Sequence, residues 1–216
     1  MIKAVLFDCD GVLLNSEKIY LESVCCYLKN LGRETQWETL AYLVGADIQA
    51  ITVQLKKDFQ LEELSDEEVI KGQRQIFNER FYGSPLTPME GLVPLLETLR
   101  DSGITLGVVS SSGQDYVEYV LKQLNIGEYF QLYIGREAAE RSKPCPDLYL
   151  EALRRLGLTP AEAVIVEDSF NGIKAGKAAG CHVIAYTGSG IRQDITGADQ
   201  VIDSYGDFPV EELIKK

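Results

Sequence analysis

From residue 91 onward, short apolar runs alternate with amphipathic stretches of helical period, and this rhythm narrows the possible folds more than any other feature. Strand-length runs occupy 104–110, 132–134, 163–168, 181–186 and 201–202, with helical patterns over 92–101, 116–124, 146–156 and 172–179. A repeated strand–helix unit predicts an α/β fold, a doubly wound parallel sheet with right-handed crossovers. A further apolar run, Ala4-Val-Leu-Phe7, opens the chain and ends in Asp8 and Asp10, followed by Gly11. If that strand extends through both aspartates, period-two geometry aims them at one point. Ligands on such sheets bind beyond the carboxyl ends of the strands. Three runs end in polar residues there: Asp8 and Asp10, Ser110, and the Glu167-Asp168 pair.

No strand pattern interrupts residues 17–82. Helical patterns instead cover 17–31, 37–44, 48–59 and 65–82, and Gly83-Ser-Pro-Leu-Thr-Pro88 has the composition of a return linker. The expected organisation is a sheet domain from 1–14 and 89–216, with an inserted four-helix domain over 15–88.

The 216 residues carry a net charge of −12, which argues against a general nucleic-acid binder. The same field repels anionic substrates, so such a substrate needs a local cation, either a lysine or a metal ion. No apolar run has membrane-spanning length, and the N-terminus lacks a basic stretch followed by an apolar one, so a cytoplasmic protein with no membrane partner is expected. Five cysteines (Cys9, Cys25, Cys26, Cys145, Cys181) show no metal-ligand spacing and are expected as free, mostly buried thiols, with Cys9 a packing residue. The single histidine, His182, lies in an apolar run and reads as structural. Gly172 to Lys177 imitates a phosphate-binding loop but is one residue short and lacks its final Ser or Thr. Gly172, Gly176 and Gly180 recur every four residues, as a close-packed helix face would.

Taken singly, the polar residues have ordinary readings. Lys143 suits a solvated loop, Ser110-Ser-Ser112-Gly is common loop composition with Ser111 or Ser112 as possible ligands, and Glu167-Asp168 suits the start of a helix. Together, Asp8-x-Asp10-Gly-Val, Ser110, Lys143-Pro-x-Pro-Asp147 and Glu167-Asp168-Ser169 resemble the four motifs of the haloacid dehalogenase superfamily. They occur in the family's order and at its usual separations, with a helical cap after the first motif. The resemblance is to the subgroup with beta-phosphoglucomutase and small sugar-phosphate phosphatases.

That resemblance implies Asp8 as the nucleophile forming an aspartyl-phosphate and Asp10 as general acid and base. It implies Mg²⁺ held by Asp8, the Asp10 carbonyl and Asp168, with Glu167 as a direct or water-mediated supporter. Phosphate oxygens would meet Lys143, Ser110 and backbone amides near Gly11 and Ser111. Tyr20 stands where beta-phosphoglucomutase has a histidine, and the loop 44–48, with Asp47, lacks the arginine that enzyme uses for a second phosphate. The expectation is a monomeric phosphatase of a small phosphorylated metabolite, with cap closure hinged near 12–16 and 83–88. Lys18, Lys71 and Arg74 are better read as solvated. A phosphosugar mutase and a non-catalytic phosphate-ligand binding protein are the alternatives.

Overall fold

The structure is a computed structural model that describes residues 1–44 and 48–214. It divides into two compact units, one of residues 1–15 and 86–216 and one of residues 16–85. The larger unit is built on a six-stranded sheet in the order β3-β2-β1-β4-β5-β6. The strands are β1 (Ala4–Phe7), β2 (Thr105–Val109), β3 (Leu132–Ile134), β4 (Ala163–Glu167), β5 (His182–Tyr186) and β6 (Gln200–Ile202). Every pairing is parallel, and β1 lies at the centre between β2 and β4. Its four residues are fully buried, which accounts for an unbroken apolar run where an exposed sheet face would impose alternation.

The helices of this unit are α4 (Leu92–Asp101), α5 (Gln114–Gln123), α6 (Asp147–Leu156), α7 (Phe170–Ala178) and the short α8 (Val210–Ile214). On one sheet face Ala4, Leu6, Ala163, Ile165, Val183 and Ala185 pack with Leu148, Tyr149 and Ala152 of α6 and Ile173 and Ala175 of α7. Period two then carries the chain from Ala4 and Leu6 to Asp8, and from Ala163 and Ile165 to Glu167. Both carboxylates emerge on the α6–α7 side.

β1 ends at Phe7, sooner than a strand through both aspartates requires. Asp8 still donates its backbone N–H to Val166 (2.9 Å), but the chain then turns. Leu13 N–H bonds to the Cys9 carbonyl (2.8 Å), Gly11 N–H to that of Leu14 (2.9 Å), and Gly11 takes φ +72°. Asp10 therefore sits in a turn and not on the strand. Val12, Leu13 and Leu14 are buried, and the Leu13 carbonyl accepts the Met89 N–H at 2.9 Å.

The smaller unit holds α1 (Ser16–Asn30), α2 (Ile48–Phe59) and α3 (Asp66–Gly83). The helical pattern near 37–44 forms a 3₁₀ helix, Trp37–Leu43, with no side-chain cap from Gln36. Seven residues without a cap give an α-helix little to propagate from. α3 begins with a full capping box, Ser65 and Glu68 each satisfying the other's backbone N–H. Asp47 lies outside the described residues.

The expectations for Gly180, His182 and the cysteines change. Gly172 and Gly176 do lie in α7, but Gly180 follows it with φ +84°, terminating the helix in a conformation that suits glycine. His182 is exposed at the start of β5, 3.7 Å from Asp199 Oδ2, and not in the core. All five cysteines are free, yet only Cys9 and Cys181 are buried.

Candidate active site

Lys143 organises the polar residues at the carboxyl edge of the sheet. It precedes α6, across a cis bond to Pro144, and its side chain is only 5% exposed. An ammonium has three N–H groups, and here each has its own acceptor: Asp8 Oδ1 at 2.5 Å, Glu167 Oε1 at 2.6 Å and the Val109 carbonyl at 2.8 Å. Burial opposes the charge on Lys143, but Asp8 and Glu167 outweigh it and hold the amine well above its ordinary range.

Glu167, fully buried at the end of β4, is held from three sides. Oε1 also accepts the Tyr149 hydroxyl of α6 (2.6 Å), and Oε2 accepts that of Ser169 (3.2 Å). Ser169 in turn caps α7 through the Gly172 N–H (3.1 Å). A Cβ at Gly172 would fall 1.9 Å from this carboxylate, so the missing side chain makes room for a charge. Gly11 does the same for Asp168: a Cβ there would lie 1.9 Å from Asp168 Oδ2.

Asp8, Glu167 and Asp168 each place an oxygen within 4.8 Å of the others. Burial, with Glu167 and Asp10 adding repulsion against the pull of Lys143, lifts Asp8 to about 7. Burial, then Asp8 and Glu167, lifts Asp168 well above the carboxylate range. Three carboxylates facing one ammonium leave the cluster short of positive charge. Like charges about 4 Å apart cost ~4 kcal/mol each at an effective dielectric of about 20, so a further cation is needed to ionise the set. Hard oxygen donors in a buried cleft fit Mg²⁺, and Asp8 and Asp168 are the carboxylates whose oxygens are least committed.

Asp10 stands apart. Its Oδ1 accepts the Tyr116 hydroxyl (2.6 Å) and its Oδ2 that of Ser112 (3.0 Å), so its carboxylate is outside the three-carboxylate cluster. Ser110 is buried, and its Oγ accepts the Ser112 N–H (3.0 Å), tightening the turn after β2. Ser111 is exposed and receives the Ser142 hydroxyl at 2.9 Å, on the segment leading to Lys143. The predicted residues are thus split into a cluster of Asp8, Lys143, Glu167 and Asp168 and a neighbouring Asp10–Ser112–Tyr116 group. Tyr149 and Tyr116 carry no sequence signal for these contacts. Both look like members of amphipathic helices, and only Tyr149's place on the apolar stripe of α6 marks it as buried.

This arrangement has counterparts in known proteins. The model of the haloacid dehalogenase-like hydrolase family matches residues 5–186. The phosphoglycolate phosphatase of Salmonella paratyphi A is 30% identical over 96% of this chain and 91% of its own. The bifunctional riboflavin kinase/FMN phosphatase of Arabidopsis thaliana is 30% identical over 96% of this chain, which spans 55% of that longer protein. A hydrolase of the same family from Deinococcus radiodurans, solved with bound phosphate and sodium, superposes with a TM-score of 0.85. It is 26% identical, and the match covers 98% of this chain and 95% of that one.

Proposed function

The chain belongs to the haloacid dehalogenase-like hydrolases, and from that premise we propose that it is a phosphatase of small phosphomonoesters working through an aspartyl-phosphate on Asp8. Both relatives carry phosphatase names, and the Deinococcus hydrolase was solved with bound phosphate. The observation that carries the reading is the contrast between two carboxylates. Asp8 is buried against Lys143, whereas Asp10 is oriented by two hydroxyls outside the cluster. Groups in such different surroundings suit a nucleophile and an acid–base partner.

In the first step an Asp8 oxygen attacks phosphorus and the bond to the leaving oxygen breaks. Asp10, protonated, gives its proton to that oxygen, releasing the alcohol. Ser112 can turn from donor to acceptor, so Oδ2 of Asp10 is suited to carry the proton. Water then attacks phosphorus and gives a proton back to Asp10, and phosphate leaves Asp8 as a carboxylate. Lys143 has no spare N–H, so a phosphoryl oxygen must replace one of its acceptors. The Asp8 contact is the exchangeable one, because the Val109 carbonyl and Glu167 are fixed in the core. Ser110, Ser111 and the amide near Gly11 would supply further donors to phosphate. Mg²⁺ held by Asp8, Asp168 and the Asp10 carbonyl, with Glu167 in support through its grip on Lys143, would neutralise the anions and polarise the phosphoryl group. We assign residues 16–85 the role of a cap that selects the substrate, and 1–15 with 86–216 that of the catalytic domain. Tyr20, whose hydroxyl donates to Gln73 Oε1 at 3.1 Å, has a partner within its own unit.

Phosphate release from a panel of sugar, polyol, nucleotide and carboxylic-acid monophosphates, with Mg²⁺ or EDTA, tests this. Release that needs Mg²⁺ and disappears in Asp8→Asn is expected. Release that persists in Asp8→Asn sinks the aspartyl-phosphate, and sustained interconversion of hexose 1- and 6-phosphates without release would favour a mutase.

A further inference from the structure

A cavity of about 720 Å³ opens in the larger unit beside Asp168, on the loop that joins β5 to β6. Its lining includes Asp168, Thr187, Ile191, Arg192, Gln193 and Asp194. The first half of this loop is firmly braced. Thr187 N–H and its hydroxyl both reach the Ile202 carbonyl, at 2.9 and 3.2 Å. Asn15 Nδ2 donates to the Ser189 carbonyl at 2.7 Å, and Ser189 Oγ accepts the Ile191 N–H at 3.3 Å. Ile191 is 5% exposed and anchors the chain immediately before Arg192. Asp194 is turned to local use, its Oδ1 accepting the Thr196 N–H at 2.9 Å.

Arg192 is different. It is exposed, and among the described residues it has no ion pair or hydrogen-bond partner, a state shared with Arg74 of α3, whereas Arg33 donates to the Phe59 carbonyl and Arg80, Arg100, Arg136, Arg141, Arg154 and Arg155 each pair with a carboxylate. Among the described residues it is also the one cation lining this cavity. In a chain of net charge −12, a guanidinium that lines the same cavity as Asp168 supplies the local cation that an anionic group needs.

We propose that the cavity receives the non-reacting end of the substrate and that Arg192 binds a carboxylate there, with Gln193 beside it as a neutral hydrogen-bonding group. This rests on the phosphatase reading for what occupies the neighbouring phosphoryl site. A planar carboxylate matches the guanidinium fork with two parallel hydrogen bonds. Its single charge also balances one arginine, where a phosphate dianion would leave excess negative charge against Asp194 and Asp168. Arg192 is accordingly a specificity-determining residue, and the favoured substrates are phosphorylated carboxylic acids over neutral phosphorylated polyols.

The test reads binding by calorimetry in Mg²⁺, so it needs no turnover. The probes are methylphosphonate, phosphonoacetate and 3-phosphonopropionate, which differ in the presence and reach of a carboxylate, and propane-1,3-bisphosphonate, which ends in a second phosphonate. In the wild-type protein one carboxylate probe should bind at least about tenfold more tightly than methylphosphonate, a typical effect of one charged, bidentate contact. In Arg192→Gln that ratio should fall below about threefold, and Arg192→Lys should recover part of it. A wild-type ratio below about threefold, or one that survives in Arg192→Gln, overturns the proposal. An Arg192-dependent preference for the bisphosphonate over both carboxylates overturns the carboxylate assignment in favour of a second phosphate. Loss of the phosphatase reading shows separately, as binding selectivity without phosphate release from any compound.

Discussion

Replacing Tyr149 by Phe removes one hydroxyl and leaves Glu167 Oε1 with Lys143 as its sole partner among the described residues. The bond is buried and reaches a charged acceptor, so its loss should cost about 1.5–3 kcal/mol. A urea titration of Tyr149→Phe should show that as a lowered midpoint with unchanged slope. An unmoved midpoint would mean that Glu167 needs no second donor. At this scale the sequence shows residues that terminate apolar strands, because a carboxylate or hydroxyl placed after four buried apolar residues stands where the sheet meets its cleft. Asp8, Ser110 and Glu167 are legible for that reason. Tyr149 and Tyr116 are not, since packing alone accounts for an aromatic ring on a helix and its hydroxyl leaves no periodic trace. Asp10's surroundings are hidden too, because they depend on β1 stopping at Phe7 and on the turn at Gly11.

Elements respond to glycine in opposite ways depending on what faces them. Alanine normally improves a helix over glycine by up to about 1 kcal/mol. Gly83, the last residue of α3, would offer an added Cβ open space, with nothing within 4 Å, so Gly83→Ala should be neutral or stabilising. Gly172→Ala sets a methyl group 1.9 Å from the Glu167 carboxylate and forces either α7 or that carboxylate to move. It should lower stability by about 1–3 kcal/mol despite the better helix propensity. The Gly172→Ala melt should therefore fall while that of Gly83→Ala holds or rises, and a Gly172→Ala melt as high as wild type would show that α7 can shift freely. The long helices are legible from hydropathy because each buries one side, and the central strands because they are buried on both faces and read as unbroken apolar runs. The Trp37–Leu43 segment is not, since seven residues with suitable spacing fit a 3₁₀ or an α-helix equally well. Gly180 misleads because a four-residue glycine spacing does not reveal where the helix ends.

At the level of the whole molecule, the uncompensated carboxylates should govern stability near neutrality. Asp8 rises from 3.8 to about 7 and Asp168 rises as well, so between those limits the folded protein holds protons that the unfolded chain has released. The folded state then binds more protons, and stability must fall as pH rises through that window. Carboxyls such as Glu151 and Glu162, lowered to about 2 by their hydrogen bonds to Arg154 and to Lys3, add stability that is lost only at lower pH. Melts in EDTA from about pH 5 to about pH 8 should thus decline. Mg²⁺ should flatten the decline and, at about 100 times its dissociation constant, add ~2.7 kcal/mol, or roughly 5–10 °C. A profile identical in Mg²⁺ and EDTA would remove the metal from the cluster.

The central position of β1 has a consequence for how the chain is made. β1 is synthesised well before its neighbours β2 and β4, which begin at Thr105 and Ala163. Residues 16–85 form a contiguous unit and can fold as they leave the ribosome, while Ala4–Phe7 must wait, apolar and without a hydrogen-bonding partner, until its neighbours arrive. The strand that carries Asp8 is translated long before the two strands that flank it, so the nucleophile acquires its surroundings only once both have been made.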